Sequence, residues 1–218
     1  MLPEWHEVDW APMDRYEELL RTTTTTALLD GLFNADDGVV WQVFDERYRP
    51  IMVGVGRRLG LSDSEAEDVA QETLLQFLRD YRANRYDREK GRLRGWIAGI
   101  ARHRVIDYQR KRGRRKESAG EVSALLEIPD DSGIEELWDQ ELERSILRQS
   151  VEELRRSTRT SEKSIRAFEM ILFEQQTVEA VAEQLGMKSH DVYVARSRIT
   201  TRLREIAERL RSLYEVDP

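Results

Sequence analysis

Apolar residues along this chain recur at threes and fours almost throughout. Trp41, Phe44, Tyr48, Ile51, Met52 and Val55 keep that spacing, which puts them on one buried face of a helix. Gly60 is positioned to close that helix. Ser62 is positioned to cap the next one, with Glu65 three residues on completing a capping box. This second helix is expected to run to about Tyr81, with Val69, Ala70, Thr73, Phe77, Leu78 and Tyr81 inward. Glu65, Asp68, Glu72, Leu75 and Arg79 would form its outer stripe. A basic loop, 82–90, leads through Gly91 into a helix over about 93–111 with Leu93, Ile97, Ile100, Ala101 and Val105 as its apolar stripe. Residues 113–134, from Gly113-Arg-Arg-Lys to Pro129-Asp-Asp-Ser-Gly, carry weak periodicity and read as a linker. A second helical block comes next, from about Ile134 to Tyr214. The pattern contains no internal repeat and no convincing strand. The expected fold is all-α, two small helical domains on an acidic linker: a leader at 1–24, a first domain at 25–112, the linker at 113–134 and a second domain at 135–218.

Composition narrows the class. Charged residues make up 35% of the 218-residue chain and apolar residues 39%, which suits small domains with much exposed surface. Without cysteine, disulfides, thiolate zinc sites and cysteine nucleophiles are excluded. The acidic start lacks the basic-then-apolar order of a signal peptide. Apolar runs such as 51–55 are far too short to span a bilayer. A soluble, cytoplasmic protein with no membrane insertion is expected. The net charge of −7 argues against nucleic acid until its distribution is considered. Residues 85–116 hold 13 Lys/Arg against 3 Asp/Glu, whereas 117–153 hold 12 acids and only Arg144 and Arg148. Such segregation assigns one surface to phosphates and others to different partners.

Residues 178–197 have the helix-turn-helix pattern. Ala182 is small where two helices cross, Gly186 supplies a left-handed turn, and Val192 plugs the core. On a helical wheel the face opposite Val192 carries His190, Val194, Ser197 and Thr201, flanked by Tyr193, Arg198 and Arg204. Those side chains would face a major groove. The plainer alternative is an ordinary helix pair with a glycine turn. His190 has no histidine near it in sequence, so no metal site and no cofactor is expected.

The basic helix offers a second surface. Arg94, Arg102, Asp107 and Arg110 lie off its apolar stripe, and Tyr86, Arg88 and Lys90 precede it. Guanidinium groups with aromatics suit single-stranded DNA, a cationic track on which splayed bases stack. Trp96 alone reads as a core residue, and the acidic outer stripe at 62–81 alone as a solvated face.

Together these segments resemble a known family. Ala66-Glu-Asp-Val-Ala-Gln-Glu-Thr-Leu-Leu, Tyr86-Asp-Arg-Glu-Lys-Gly-Arg-Leu-Arg-Gly-Trp-Ile and Ile100-Ala-Arg-His-Arg-Val-Ile-Asp are similar to region two of extracytoplasmic-function sigma factors, group IV of the sigma-70 family. Residues 165–210 resemble region four, and the spacing between the two suits a chain lacking region three. The resemblance implies a subunit that binds core RNA polymerase, recognises −35 and −10 promoter elements and melts DNA. It implies no catalysis of its own, since phosphodiester chemistry belongs to the polymerase. Glu65, Asp68, Gln71, Glu72 and Leu75 match positions that bind the polymerase clamp. Tyr86, Arg88, Lys90, Arg92, Arg94 and Trp96 match the loop and helix start that melt the −10 element. Arg102, His103, Asp107 and Arg110 match its upstream edge. Ser189, His190, Asp191, Tyr193, Val194, Ser197 and Arg198 fall on the −35 reader. Phe168, Leu172 and Phe173 fall where region four docks on the polymerase flap. The linker would thread through the polymerase, with Glu127, Asp130 and Asp131 imitating RNA phosphates. The family often has Asn in place of His103 and more basic residues in place of Tyr193 and Val194, so the promoter sequence stays open, as does an anti-sigma partner.

Three rival readings compete with this one. A polymerase-independent regulator would leave the 62–112 motifs without a role. A hydrolase built on Glu67 and Asp68 would need side chains about 100° apart on a helix to converge. An interaction module with partner-masked DNA surfaces is compatible with the sequence. In the leader, seven acids and two tryptophans within 1–30 suit either a loosely packed tail or a segment that covers a basic face.

Overall fold

Eight helices make up the regular structure of the described residues, and no strand occurs among them, so the fold is all-α. The computed structural model describes residues 16, 19–20, 25–33, 38–87, 89–118, 128–156, 161–172 and 174–214, with the side chains of all but 114–118. In chain order the helices are α1 (Thr25–Leu32), α2 (Gly38–Arg58), α3 (Asp63–Arg82), α4 (Leu93–Ser118), α5 (Asp131–Arg156), α6 (Glu162–Leu172), α7 (Val178–Leu185) and α8 (Ser189–Ser212). They fall into two compact units. Of the described residues, one unit comprises those up to Glu143 together with Tyr214, and the other those within Arg144–Leu213.

In the first unit α2 packs on α3 and α3 on α4, with α1 laid against α2. The expected stripe of α2 is its buried face: Phe44, Tyr48, Ile51, Met52 and Val55 are sealed from solvent, and Trp41 packs at the edge. Phe44 stacks on Phe77 of α3 with centroids 4.9 Å apart and planes 4° off parallel. Leu28, Leu29 and Leu32 fasten α1 to the same core. Thr25, the fourth of the five successive threonines, is fully buried, and its hydroxyl lies 2.7 Å from that of Tyr48. Arg47 is buried as well. It donates to the Leu20 carbonyl at 3.3 Å, and its guanidinium carbon lies 5.6 Å from the Tyr214 ring centroid. Burial lowers its pKa.

The helix ends obey the local chemistry. Gly60 adopts φ +81° after α2. The capping box of α3 is complete: the Ser62 hydroxyl accepts the Glu65 amide, and the Glu65 carboxylate accepts the Ser62 amide at 2.7 Å. That bond, foremost, with further help from Arg112, holds the Glu65 carboxyl below its ordinary value. Glu65→Ala is expected to cost about 1 kcal/mol, the usual scale for a lost cap. Because the folded-state pKa is depressed, the contribution is present above the unfolded-state pKa and disappears as pH falls through the folded one. Urea titrations of both proteins from pH 7 to pH 3 should therefore converge at the acid end. A pH-independent gap would contradict this origin.

Two boundaries differ from those the sequence suggests. Helix α4 continues past residue 112 through Gly113, which is buried, to Ser118. Helix α5 starts at Asp131, and Ile134 and Trp138 lie in the core of the first unit, each 1% exposed. The two compact units meet in sequence at Glu143/Arg144.

In the second unit α6 contacts both α7 and α8, and α7 packs on α8. Ala167, Met170, Val178, Val181, Ala182 and Val192 form its centre. Ion pairs Arg155–Glu169, Arg209–Glu153 and Arg166–Glu174 tie its helices and the turn after α6 together. No helix among the described residues is long and apolar enough to cross a membrane.

Candidate nucleic-acid and polymerase interfaces

The outer stripe of α3 is the simplest surface. Asp68, Gln71 and Glu72 are exposed, and Leu75 is 44% exposed. Their spacing of three and four puts all four on one side of the helix. Glu65 differs from its expected companions. It is half-buried, engaged by Ser62 and 3.6 Å from Arg112, so its carboxylate serves the helix start.

The loop before α4 is organised by aromatics and a turn. Tyr86 stacks on Trp96, with centroids 5.0 Å apart and planes 19° off parallel, and Trp96 meets Phe77 edge-on at 5.5 Å. Trp96 is thus packed against the core through Phe77 and stacked by Tyr86. Asp87 nucleates the turn by accepting the Glu89 amide at 3.0 Å and pairing with Lys90 at 3.0 Å. Those contacts, that of Lys90 first, hold its carboxyl below the ordinary range. Arg88 lies outside the described residues. Arg92, Asp107 and Arg110 occupy the same stretch, Arg92 and Arg110 exposed and Asp107 on the α4 surface with its neighbours. His103 is exposed, and its Nδ1–H donates to the Gly99 carbonyl at 2.7 Å.

Arg94 and Arg102 are differently placed. Arg94 pairs with Asp139 of α5 at 2.8 Å. Arg102 donates to the Pro129 carbonyl at 2.8 Å and lies 3.7 Å from Asp131. Arg104, which lies within the Ile100-to-Asp107 motif but has no role assigned by it, donates to Gln76 Oε1 at 3.0 Å and so joins α4 to α3. Arg79 shares that oxygen, also at 3.0 Å. A basic residue next to a buried stripe position, Val105, is the available sign.

Helices α7 and α8 meet through a tight turn. Thr177 caps α7 by accepting the Ala180 amide at 3.2 Å. Gly186 takes φ +56°, the Met187 amide returns to the Ala182 carbonyl at 2.8 Å, and Val192 is fully buried beneath the turn. Left-handed backbone costs a residue with a Cβ about 1–2 kcal/mol. Gly186→Ala should therefore lower the stability of the second unit by about 1 kcal/mol, read from its urea midpoint. On α8, Ser189, His190, Asp191, Tyr193, Ser197 and Arg198 are exposed, as are Thr201 and Arg204. Val194, expected on the open face, is only partly exposed. Phe168 is buried, Leu172 is 52% exposed, and Phe173 lies outside the described residues.

The exposed stripe of α3, the aromatic loop and the basic helix α4 all fall within one recognisable segment. The family model for sigma-70 region 2 matches residues 44–115, roughly a third of the chain. Over these residues the chain is similar to sigma-70 region 2. This match supports a sigma factor of the sigma-70 family, a family that works with core RNA polymerase in promoter recognition and transcription initiation. No curated protein matches the chain. The match ends before α5, so the second unit stands on its geometry alone.

Proposed function

We propose that this sigma factor is of the extracytoplasmic-function type, acts in the cytoplasm and contacts both polymerase and promoter at two places. The observation that carries the reading is the Tyr86–Trp96 stack, set at the junction of a basic loop and helix inside the region 2 match. An aromatic platform flanked by Lys90 and Arg92 suits unpaired −10 bases, and base–aromatic stacking is worth about 1–3 kcal/mol per base. His103, Asp107 and Arg110 would meet the upstream edge. Asp68, Gln71, Glu72 and Leu75 would dock on the polymerase clamp, with Glu65 holding the helix start beneath them. The α7–turn–α8 pair would act as a helix-turn-helix of region 4. Its exposed Ser189, His190, Asp191, Tyr193, Ser197 and Arg198 would face the −35 major groove, and Leu172 the polymerase flap. Binding spread over two tethered modules offsets the cost of opening duplex. The test is in vitro transcription with bacterial core polymerase on a genomic fragment library, paired with a core pull-down. Promoter-specific transcripts are expected. A chain that does not bind core overturns the reading.

A further inference from the structure

Arg94 and Arg102 lie on one side of α4 eight residues apart, and the acids that meet them are also eight apart. Asp139 pairs with Arg94 at 2.8 Å, and Asp131 lies 3.7 Å from Arg102, whose Nε donates to the Pro129 carbonyl at 2.8 Å, so the first part of α5 runs antiparallel to α4 with carboxylates facing its arginines. Glu135, midway along that stripe, rests against α4 at Gly95, where a Cβ would come 2.5 Å from its Oε1. Ile134 and Trp138, buried in the same core as α4, anchor this stretch from its other side. The pairing is incomplete. The Nε of Arg94 is buried without a hydrogen-bond acceptor, while its Nη1 is held by Asp139. A guanidinium is a five-donor fork suited to two oxygens at once, and a phosphate offers more acceptors than the single Asp139 oxygen it has here.

We propose that the start of α5 is a built-in competitor of DNA: Asp131 and Asp139 occupy Arg102 and Arg94 in place of backbone phosphates until a nucleic-acid strand displaces them. This rests on the reading of α4 as the −10 surface and adds a self-limiting step to it. In the free chain Asp139 pairs with one of these cations and Asp131 lies near the other, so weak, unspecific contacts with single strands are suppressed. A strand already positioned by the Tyr86–Trp96 platform can exchange the carboxylates for phosphates. Anchoring through Ile134 and Trp138 keeps the competitor beside its site, so it re-forms when DNA leaves.

The probe is a fluorescein-labelled, mixed-sequence 20-nucleotide single strand, titrated by anisotropy with the full chain across a range of salt. Asp131→Asn with Asp139→Asn is expected to tighten binding on the order of tenfold at low salt. It should steepen the log–log salt slope by roughly 0.7 for each arginine released. Glu136→Gln with Glu152→Gln removes the same charge from other positions of the same helix and sets the unspecific baseline. The gain should exceed that baseline and vanish when Arg94→Gln and Arg102→Gln are added. An Asp131/Asp139 variant that only matches the baseline overturns the competitor while leaving the sigma reading intact. If no variant binds the strand, the competitor also falls, whereas the sigma reading falls only with failure of the core pull-down.

Discussion

Trp138→Ala is expected to destabilise the first unit by about 3–5 kcal/mol, the range for removing a buried aromatic from a packed core. The ring is 1% exposed, sits 6.2 Å from that of Tyr48, and shares its core with Ile134. Tyr48 is itself pinned by Thr25 and by the edge-on ring of Tyr214, so the lining has little freedom to collapse into the hole. At roughly 2–4 °C per kcal/mol for a unit of this size, the melting temperature should fall on the order of 10 °C. Leu147→Ala, on the same helix but 48% exposed, should stay within about 0.5 kcal/mol of the parent. A Trp138→Ala loss below about 1 kcal/mol would show that α5 is not part of the first core. The same variant loosens the anchor behind Asp131 and Asp139, so it should also bind single strands more tightly at temperatures where it remains folded.

How far the residues alone carry can be judged from the two ends of the linker. Helices α2 and α3 are legible because their apolar spacing and caps agree, and the turn at Gly186 because only a few residue types tolerate its backbone. Helix α4 is longer than its pattern suggests because Gly113 looks like punctuation; in the fold it is buried within the helix. Pro129-Asp-Asp-Ser-Gly has loop composition, yet it is a helix start. Asp130 accepts the Gly133 amide at 3.0 Å and the Ser132 hydroxyl at 2.9 Å, which holds its carboxyl below the ordinary value. Capping residues and loop residues are the same types, and only the stretch C-terminal to them tells the two apart. The idea that Glu127, Asp130 and Asp131 imitate RNA phosphates is affected accordingly. Asp130 is engaged in capping, Asp131 faces Arg102, and Glu127 lies outside the described residues. Partners of charged side chains are the least legible feature. Nothing local says that Arg94 meets Asp139, 45 residues away, or that Arg47 is buried. Exposure on a helical wheel specifies direction, and tertiary neighbours decide what occupies that direction.

Leu75→Arg combined with Asp68→Arg should abolish assembly with core polymerase, weakening it at least about 30-fold, since truncating one interface hot spot alone costs about 2 kcal/mol or more. Leu75 and Asp68 are both exposed, seven residues apart on one side of α3, and neither has a role in the core of the first unit. Placing two cations there replaces an apolar contact and an acid with charges that a surface complementary to acids would repel. Folding should be unaffected, with a melting temperature within a few degrees of the parent. Glu65→Ala supplies the opposite pattern. It removes a carboxylate from the same helix face, but one engaged by Ser62 and Arg112, so stability should drop while core binding holds once the protein is folded. Measuring both quantities on both variants separates a docking residue from a capping one. Should Glu65→Ala lose core binding at full stability, or the double arginine variant retain it, the assignment of this stripe to the polymerase would fail.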